Sequence, residues 1–164
     1  MRSAFADVAT ELADIAREVA MLDEATDIHR TRGPAETPAF RWLMVQGLAS
    51  GVEKIYTGCE RVMSLIATHV DGTRVMRDEG WHVSLLKRMA TPSAVRPAVI
   101  SPACFDALDR LRAFRHRQRN TYGLVLDAEI VAQRAAETRP AFERFRDEVL
   151  AFMETFRDPP PPGR

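Results

Sequence analysis

The stretch "SPACFDALDRLRAFRHRQRNTYG", residues 101–123, decides the fold because it carries both ends of a helix and its buried face. Ser101 before Pro102 is typical of an N-cap followed by proline at the first helical position. Gly123 is a suitable C-cap, so we predict a helix from Pro102 to Tyr122. At about 100° per residue, one stripe of this helix is apolar: Cys104, Leu108, Leu111 and Phe114. The stripe predicts that the helix packs against a helical core.

A basic arc adjoins that stripe. Four arginines and a histidine lie between Arg112 and Arg119, and no acidic residue occurs between Asp109 and Asp127. The arc contains Arg112, Arg115, His116, Arg119 and Asn120, with Tyr122 at its edge. Like charges at i and i+4 repel each other, and a solvated helix face normally carries both signs. Since the whole chain is neutral, with 23 basic and 23 acidic residues, the local excess predicts a negatively charged ligand.

Phosphate is the counter-charge that suits the basic arc best. A guanidinium binds phosphate through two parallel hydrogen bonds and stays protonated while doing so. The alternative is that these arginines form salt bridges with acidic residues on the first or last helix. Composition alone leaves both interpretations open.

The remaining chain also shows the helical spacing of apolar residues. Four further helices are predicted, at about residues 4–30, 40–70, 81–90 and 128–157. Residues 31–38 contain a glycine and two prolines and form a connection, and Asp127 is a good N-cap for the last helix. Pro140 either kinks that helix or divides it in two. We therefore predict an all-α fold, a helical bundle of about five helices.

Three glycines lie inside the second predicted helix, at Gly47, Gly51 and Gly58. Each destabilises a helix interior by about 1 kcal/mol relative to alanine. We expect this glycine face to admit the backbone of another helix at close range, with a kink as the alternative.

The composition is that of one soluble globular domain, with 164 residues of which 46% are hydrophobic and 28% are charged. No apolar run reaches the roughly 18 residues of a membrane span. Asp7, Glu11 and Asp14 interrupt the N-terminus where a signal peptide would be continuously apolar. We expect a single domain at residues 1–158, a disordered proline-rich tail at residues 159–164, and a cytoplasmic location.

Cysteine usage argues against metal and disulfide chemistry. Cys59 and Cys104 lie far apart within helical patterns. Buried thiols in a reducing compartment are the expected state, and a disulfide is the alternative. No CxxC or closely paired cysteine and histidine occurs, so zinc is not expected, and the sequence predicts no cofactor.

The stretch "FRHRQRNTYGLVLD", residues 114–127, resembles the signature helix of HepT-like proteins, a branch of the HEPN superfamily of all-α ribonucleases and nucleic-acid-linked modules. The family motif is an arginine, four to six residues and a histidine, commonly followed by one residue and a tyrosine. Arg115 matches the arginine and Tyr122 the tyrosine, whereas Asn120 stands at the histidine position. Three other stretches resemble the HepT-like branch with an extended middle segment: "GVEKIYTGCERVMSLIATHVDG", "GWHVSLLKRM" and "RPAVIS".

The resemblance implies a metal-independent RNA endonuclease, the toxin of a toxin–antitoxin pair, acting as a homodimer whose two motif helices face each other. Arg115 would bind the scissile phosphate, and Arg112 and Arg119 would hold flanking RNA phosphates. His116 or Asn120 would complete the catalytic site. An asparagine amide does not titrate, so His116 is the candidate for proton transfer, with a structural hydrogen bond as its alternative role. A catalytically inactive HEPN binding module is the alternative function.

The resemblance also implies a partner and a modification. In HepT-like systems a minimal nucleotidyltransferase antitoxin attaches AMP to the motif tyrosine, so Tyr122 is the expected acceptor. A nucleotide there would neutralise the neighbouring arginines and occupy the site that RNA needs. The alternative is that Tyr122 only ends the helix. Elsewhere, Trp81 and His82 either stack against nucleic acid or pin a loop to the core, and Tyr56 belongs to the core or to a dimer interface.

Overall fold

A computed structural model describes residues 2–76, 79–120 and 126–156 of the chain. Within these ranges the chain forms five α-helices: α1 (Arg2–Arg32), α2 (Pro38–His69), α3 (Trp81–Ala90), α4 (Pro102–Asn120) and α5 (Ala128–Glu154). In the same ranges, β pairing is limited to a single bridge between Ser93 and Arg96. The predicted all-α bundle of about five helices is confirmed.

Local capping explains where α2, α4 and α5 begin. Thr37 starts α2, since its hydroxyl accepts a hydrogen bond from the backbone N–H of Phe40 at 3.3 Å. Ser101 caps α4 as predicted, accepting from the N–H of Cys104 at 3.2 Å. Asp127 caps α5 as predicted, accepting from two backbone N–H groups. Each cap satisfies donors that have no partner inside the helix.

The sequence also predicts the course of α5 and the end of α4. The helix α5 is one helix through Pro140 and ends at Glu154, so the chain is not divided at that proline. The predicted extension of α4 to Tyr122, with Gly123 as C-cap, lies outside the described residues. The proline-rich tail at residues 159–164 also lies outside them.

The helix α2 occupies the centre of the bundle. It packs against α1, α3, α4 and α5, while α1 and α4 each also pack against α5. The predicted apolar stripe of α4 is buried in this core: Cys104, Leu108, Leu111 and Phe114. Tyr56 of α2 is fully buried among these helices, which places it in the core. None of the helices in the described ranges is long and apolar enough to cross a membrane.

Two glycines of α2 bring α1 close, as predicted. A Cβ atom at Gly58 would lie 2.6 Å from Cγ1 of Ile15, and one at Gly51 would lie 2.8 Å from Cδ1 of Leu22. Both distances are shorter than any normal carbon–carbon contact. The prediction is wrong for Gly47, where a Cβ would meet nothing within 4 Å. Close packing of the two helices therefore explains two of the three glycines.

A buried ion-pair cluster ties α3 to the end of α2. Asp71 lies two residues after the last residue of α2 and accepts hydrogen bonds from Arg96 at 2.6 and 3.1 Å and from Arg88 of α3 at 2.7 Å. The side chain of Arg96 is fully buried and also donates to backbone carbonyls of Arg88, Thr91 and Pro97. Burial alone would raise the pKa of Asp71, but the hydrogen bonds from Arg96 and Arg88 outweigh it and hold that pKa below its ordinary value.

The two cysteines are free and buried, as expected for structural thiols. Burial, with a contribution from Glu148, raises the pKa of the Cys104 thiol to about 12, and burial also raises the pKa of the Cys59 thiol. Both thiols therefore stay protonated near neutral pH, which makes them poor nucleophiles. No group of three or more potential metal-ligating side chains occurs in the part of the chain that the structure describes.

Candidate functional site

Arg115 lies at the centre of the candidate site. It projects from α4 toward α2 and is only 8% exposed, although it carries a charge. Its Nη1 atom lies 3.8 Å from Oε2 of Glu60, and its Nε atom lies 3.9 Å from Oε1 of Glu53. Both glutamates belong to α2. The buried Nε–H has no hydrogen-bond acceptor among the described residues, which leaves one donor of the fork unused.

Glu60 joins Arg115 to a histidine of α3. Its carboxylate is only 3% exposed and accepts a hydrogen bond from Nδ1 of His82. An ionised carboxylate can only accept, so Nδ1 carries a proton and Nε2 of a neutral imidazole is the acceptor nitrogen. That Nε2 atom lies 3.5 Å from Nη1 of Arg115. The result is a buried chain of three groups, carboxylate, imidazole and guanidinium, drawn from α2, α3 and α4.

The start of α3 fixes the orientation of His82. Gly80 precedes the helix with φ of +79°, a left-handed conformation that strains any residue with a side chain. Trp81 packs partly against the core, and its ring lies on the His82 ring with centroids 3.9 Å apart. The core-packing interpretation of Trp81 is therefore right. A cavity of about 80 Å³ opens beside these residues and is lined by Thr57, Glu60, Arg61, Ser64, Trp81 and Arg115.

The other residues of the basic arc differ in their exposure and in the acidic residues that they contact. Arg119 is exposed, yet its Nη1 atom lies 3.5 Å from Oε1 of Glu53, the same carboxylate oxygen that lies near Arg115. Arg112 donates to Asp109, one turn earlier on α4, at 2.7 Å. His116 is exposed on α4. The side chain of Asn120 and the whole of Tyr122 lie outside the described residues.

Three arginines of the arc, Arg112, Arg115 and Arg119, thus have acidic partners inside the protein. The alternative, that the arginines pair with acidic residues of the protein, is right, but the predicted location of those residues is wrong. They come from α2 and from α4 itself, at Glu53, Glu60 and Asp109, rather than from the first or last helix. A chain segment without acidic residues can still be neutralised by the helix packed against it.

The match to known proteins covers this whole arrangement. A family profile described as HepT-like protein matches residues 47–156, two thirds of the chain. The chain belongs to the HepT-like family. The matched residues include the motif helix α4 and the partners that α2 and α3 supply to Arg115. Neither a curated protein nor a solved structure gives a significant match.

The HepT-like match extends past both ends of the resemblance seen in the sequence, which covered about Val52 to Asp127. It adds five residues of α2 and the whole of α5. The helix α1 lies before the match, but it packs along α2 through Ile15 and Leu22. The helix α1 therefore packs against the HepT-like part of the chain at the glycine face of α2.

Sequence reasoning missed Glu53, Glu60 and the contacts that His82 makes with Glu60 and Arg115. One signal was present for Glu60: it occupies the apolar stripe of α2, between Tyr56 and Met63, where a charged residue requires a partner. The identity of that partner is not encoded locally, because His82 lies 22 residues further along the chain.

Tyr56 adds an unusual polar group beside the site. Its buried hydroxyl has no hydrogen-bond partner among the residues described. Burial, and then the negative charge of Glu60, raise the pKa of this phenol far above its ordinary value. The hydroxyl therefore stays protonated and contributes a dipole rather than a charge to the surroundings of Glu60.

Proposed function

We propose that this HepT-like protein is a metal-independent RNA endonuclease that acts as the toxin of a toxin–antitoxin pair. The observation that carries the proposal is the placement of Arg115, the motif arginine, beside a cavity and against Glu60 and His82. A mostly buried guanidinium at the wall of a cavity is suited to binding a phosphate, because charge-assisted hydrogen bonds are strongest where water is excluded.

In this proposal the arginines of α4 bind different phosphates of the RNA strand. Arg115 binds the scissile phosphate, while Arg112 and Arg119 hold flanking phosphates. The 2′-hydroxyl of the RNA attacks the phosphorus, so a group must take up its proton. Asn120 can orient a phosphate or a water molecule but cannot transfer a proton, and His116 is the candidate on the motif helix itself.

Two copies of the chain complete the proposed cleft. We propose a homodimer in which the two α4 helices face each other, so that both copies of Arg112 and Arg119 follow one RNA strand. The exposure of Arg119, at 58% of its side chain, leaves it accessible for that contact. Its distance of 3.5 Å from Glu53 means that RNA must displace this carboxylate or share the arginine with it.

Cleavage of total RNA by purified protein in EDTA tests the proposal. We expect Arg115→Ala to lower the cleavage rate by about 100-fold or more, as expected for removal of a group that stabilises transition-state charge. Arg110→Ala is the matched control, since Arg110 lies on the same helix but faces Glu137 of α5 at 3.7 Å. Equal cleavage by the wild type and Arg115→Ala would contradict the assignment.

The second candidate is a catalytically inactive HEPN module that binds a nucleotidyltransferase. Asn120 at the histidine position of the motif favours it, and so does the pairing of Arg115 and Arg119 with Glu53 inside the protein. Expression of the chain without any partner separates the two candidates. Growth arrest with RNA cleavage supports the toxin, whereas neither effect supports the binding module.

We further propose that a minimal nucleotidyltransferase antitoxin silences the protein by attaching AMP to Tyr122. Tyr122 follows Asn120, the last residue of α4, by two positions. An added phosphate beside Arg119 and Arg115 would compete with RNA for the same guanidinium groups. Mass spectrometry after co-expression with the neighbouring gene should find the added mass on the peptide that contains Tyr122. Neutralisation of Tyr122→Phe as readily as of the wild type would refute this control mechanism.

A further inference from the structure

We infer that His82 is the residue that takes up the proton of the RNA 2′-hydroxyl during cleavage. The inference rests on the endonuclease function proposed above and replaces His116 as the proton acceptor. His82 lies outside the motif helix, on α3, and reaches the site only because α3 packs against both α2 and α4.

The geometry supports this role at both nitrogens of the ring. Nδ1 donates to the buried carboxylate of Glu60, which holds the ring and fixes the proton on that side. The other nitrogen, Nε2, is then unprotonated, and its lone pair faces Nη1 of Arg115 at 3.5 Å. A phosphate bound by Arg115 would therefore have an unprotonated imidazole nitrogen at its edge.

A carboxylate, an imidazole and a nearby reacting group are the arrangement that positions a histidine as a general base. Glu60 would act here as a positioning residue, because its carboxylate holds the tautomer and stabilises the imidazolium that forms. The stacking of Trp81 on the imidazole restricts the ring further. His116, by comparison, is exposed on α4.

The reaction is balanced without a metal or a co-reactant. Nε2 of His82 accepts the proton of the 2′-hydroxyl while the 2′-oxygen forms a bond to phosphorus. The bond from phosphorus to the 5′-oxygen breaks, and the leaving oxygen takes a proton from water. His82 then returns its proton to the solvent. The products are one RNA end with a 2′,3′-cyclic phosphate and one with a 5′-hydroxyl.

Charged groups from two helices face His82. Glu60 from α2 lies on the Nδ1 side of the ring and Arg115 from α4 on the Nε2 side, while Arg61 from α2 lines the cavity beside Arg115. A general base must accept a proton, so the cleavage rate of the wild type should rise with pH.

The test uses the full-length protein and a fluorescent single-stranded RNA of mixed sequence. His82→Asn is the first variant, because its side-chain amide can still donate to Glu60 from the position of Nδ1 but has no Nε2. We expect the single-turnover cleavage rate to fall by about 10²- to 10⁴-fold. Binding of the same sequence in 2′-O-methylated form, which cannot be cleaved, should be unchanged. His69→Asn is the matched control, since His69 is exposed at the end of α2, and should cleave like the wild type.

Two further readouts separate a chemical role from a structural one. The residual activity of His82→Asn should lose the rise with pH that the wild type shows. The variant His82→Ala should regain activity when imidazole is added, because a free imidazole can enter the space left by the side chain and accept the proton. A purely structural role for His82 would give neither effect.

The outcomes also separate this inference from the proposed function. If the wild type does not cleave RNA, or if Arg115→Ala cleaves equally well, the endonuclease proposal fails and the inference fails with it. If Arg115→Ala is inactive while a folded His82→Asn keeps wild-type activity, only the assignment of His82 is overturned. Loss of activity in His82→Asn together with rescue of His82→Ala by imidazole establishes the role.

Discussion

Replacing Gly58 by alanine tests how closely α1 and α2 pack. The new Cβ would lie 2.6 Å from Cγ1 and 3.0 Å from Cδ1 of Ile15, whereas carbon atoms normally approach to about 3.5–4.0 Å. Either α1 moves outward by about 1 Å or Ile15 leaves its rotamer. Overpacking of this kind costs about 1–3 kcal/mol, against a gain in helix propensity of about 1 kcal/mol.

The other two glycines of α2 provide matched controls for that substitution. At Gly47 nothing lies within 4 Å of the new Cβ, so alanine should increase the free energy of unfolding by about 0.5–1 kcal/mol. At Gly51 the nearest atom is Cδ1 of Leu22, the end of a flexible side chain, at 2.8 Å. That side chain can turn away, so the two effects should nearly cancel.

Thermal and urea unfolding followed by circular dichroism measure these differences. For a domain of this size, 1 kcal/mol corresponds to about 2–4 °C in Tm. Gly47→Ala should raise the Tm by about that amount, Gly51→Ala should leave it nearly unchanged, and Gly58→Ala should lower it by as much as roughly 4–8 °C. If Gly58→Ala stabilises the protein as much as Gly47→Ala does, α1 and α2 are not in close contact at Gly58.

Three further predictions concern charged groups. Glu53→Gln removes the carboxylate shared by Arg115 and Arg119, so affinity for an uncleavable 2′-O-methyl RNA should rise about two- to fivefold by fluorescence anisotropy; weaker binding would show that Glu53 assists RNA. Arg119→Ala should decrease the magnitude of the slope of log affinity against log salt concentration by about one. RNA affinity that does not change with salt concentration would contradict phosphate binding by the basic arc. The ordinary pKa of an aspartate is 3.8, and the pKa of Asp71 lies below it. At pH values above 3.8 the ionised carboxylate of Asp71 therefore stabilises the folded state, and this stabilisation is lost as the pH falls below 3.8. Asp71→Asn should therefore lower the free energy of unfolding at neutral pH by about 3 kcal/mol, and that free energy should fall less in the variant than in the wild type on acidification. If the free energy of unfolding depends on pH in the variant as it does in the wild type, the Arg96 cluster does not depend on the charge of Asp71.

The elements that could be predicted are those whose causes lie close together in the sequence. Ser101 and Pro102 predict the start of α4 because a cap and a proline act within one turn. The apolar stripe of α4 follows from helical spacing alone. Asp127 predicts the start of α5 in the same way as Ser101 does for α4. Gly51 and Gly58 could be interpreted through their cost in a helix, although Gly47 shows the same residue without the packing partner.

The site could be predicted only in part because its partners meet through tertiary packing. The motif arginine was found from α4, but the residues that hold it are far away along the chain: His82 is 33 residues from Arg115 and 22 residues from Glu60. A local interpretation of the basic arc also overestimates its charge. The acidic residues that neutralise it belong to α2, and nothing within α4 indicates which face of α2 will pack there.

The distribution of the site over three helices has a consequence for protein synthesis. The chain leaves the ribosome from its N-terminus, so the carboxylates of α2 and the imidazole of α3 emerge before the guanidinium of Arg115. A product halted before α4 holds no part of the basic arc. A peptide consisting of α4 alone would carry every residue of the arc but neither Glu60 nor His82. None of the helices α2, α3 and α4 contains the site by itself, and only their packing against one another assembles it.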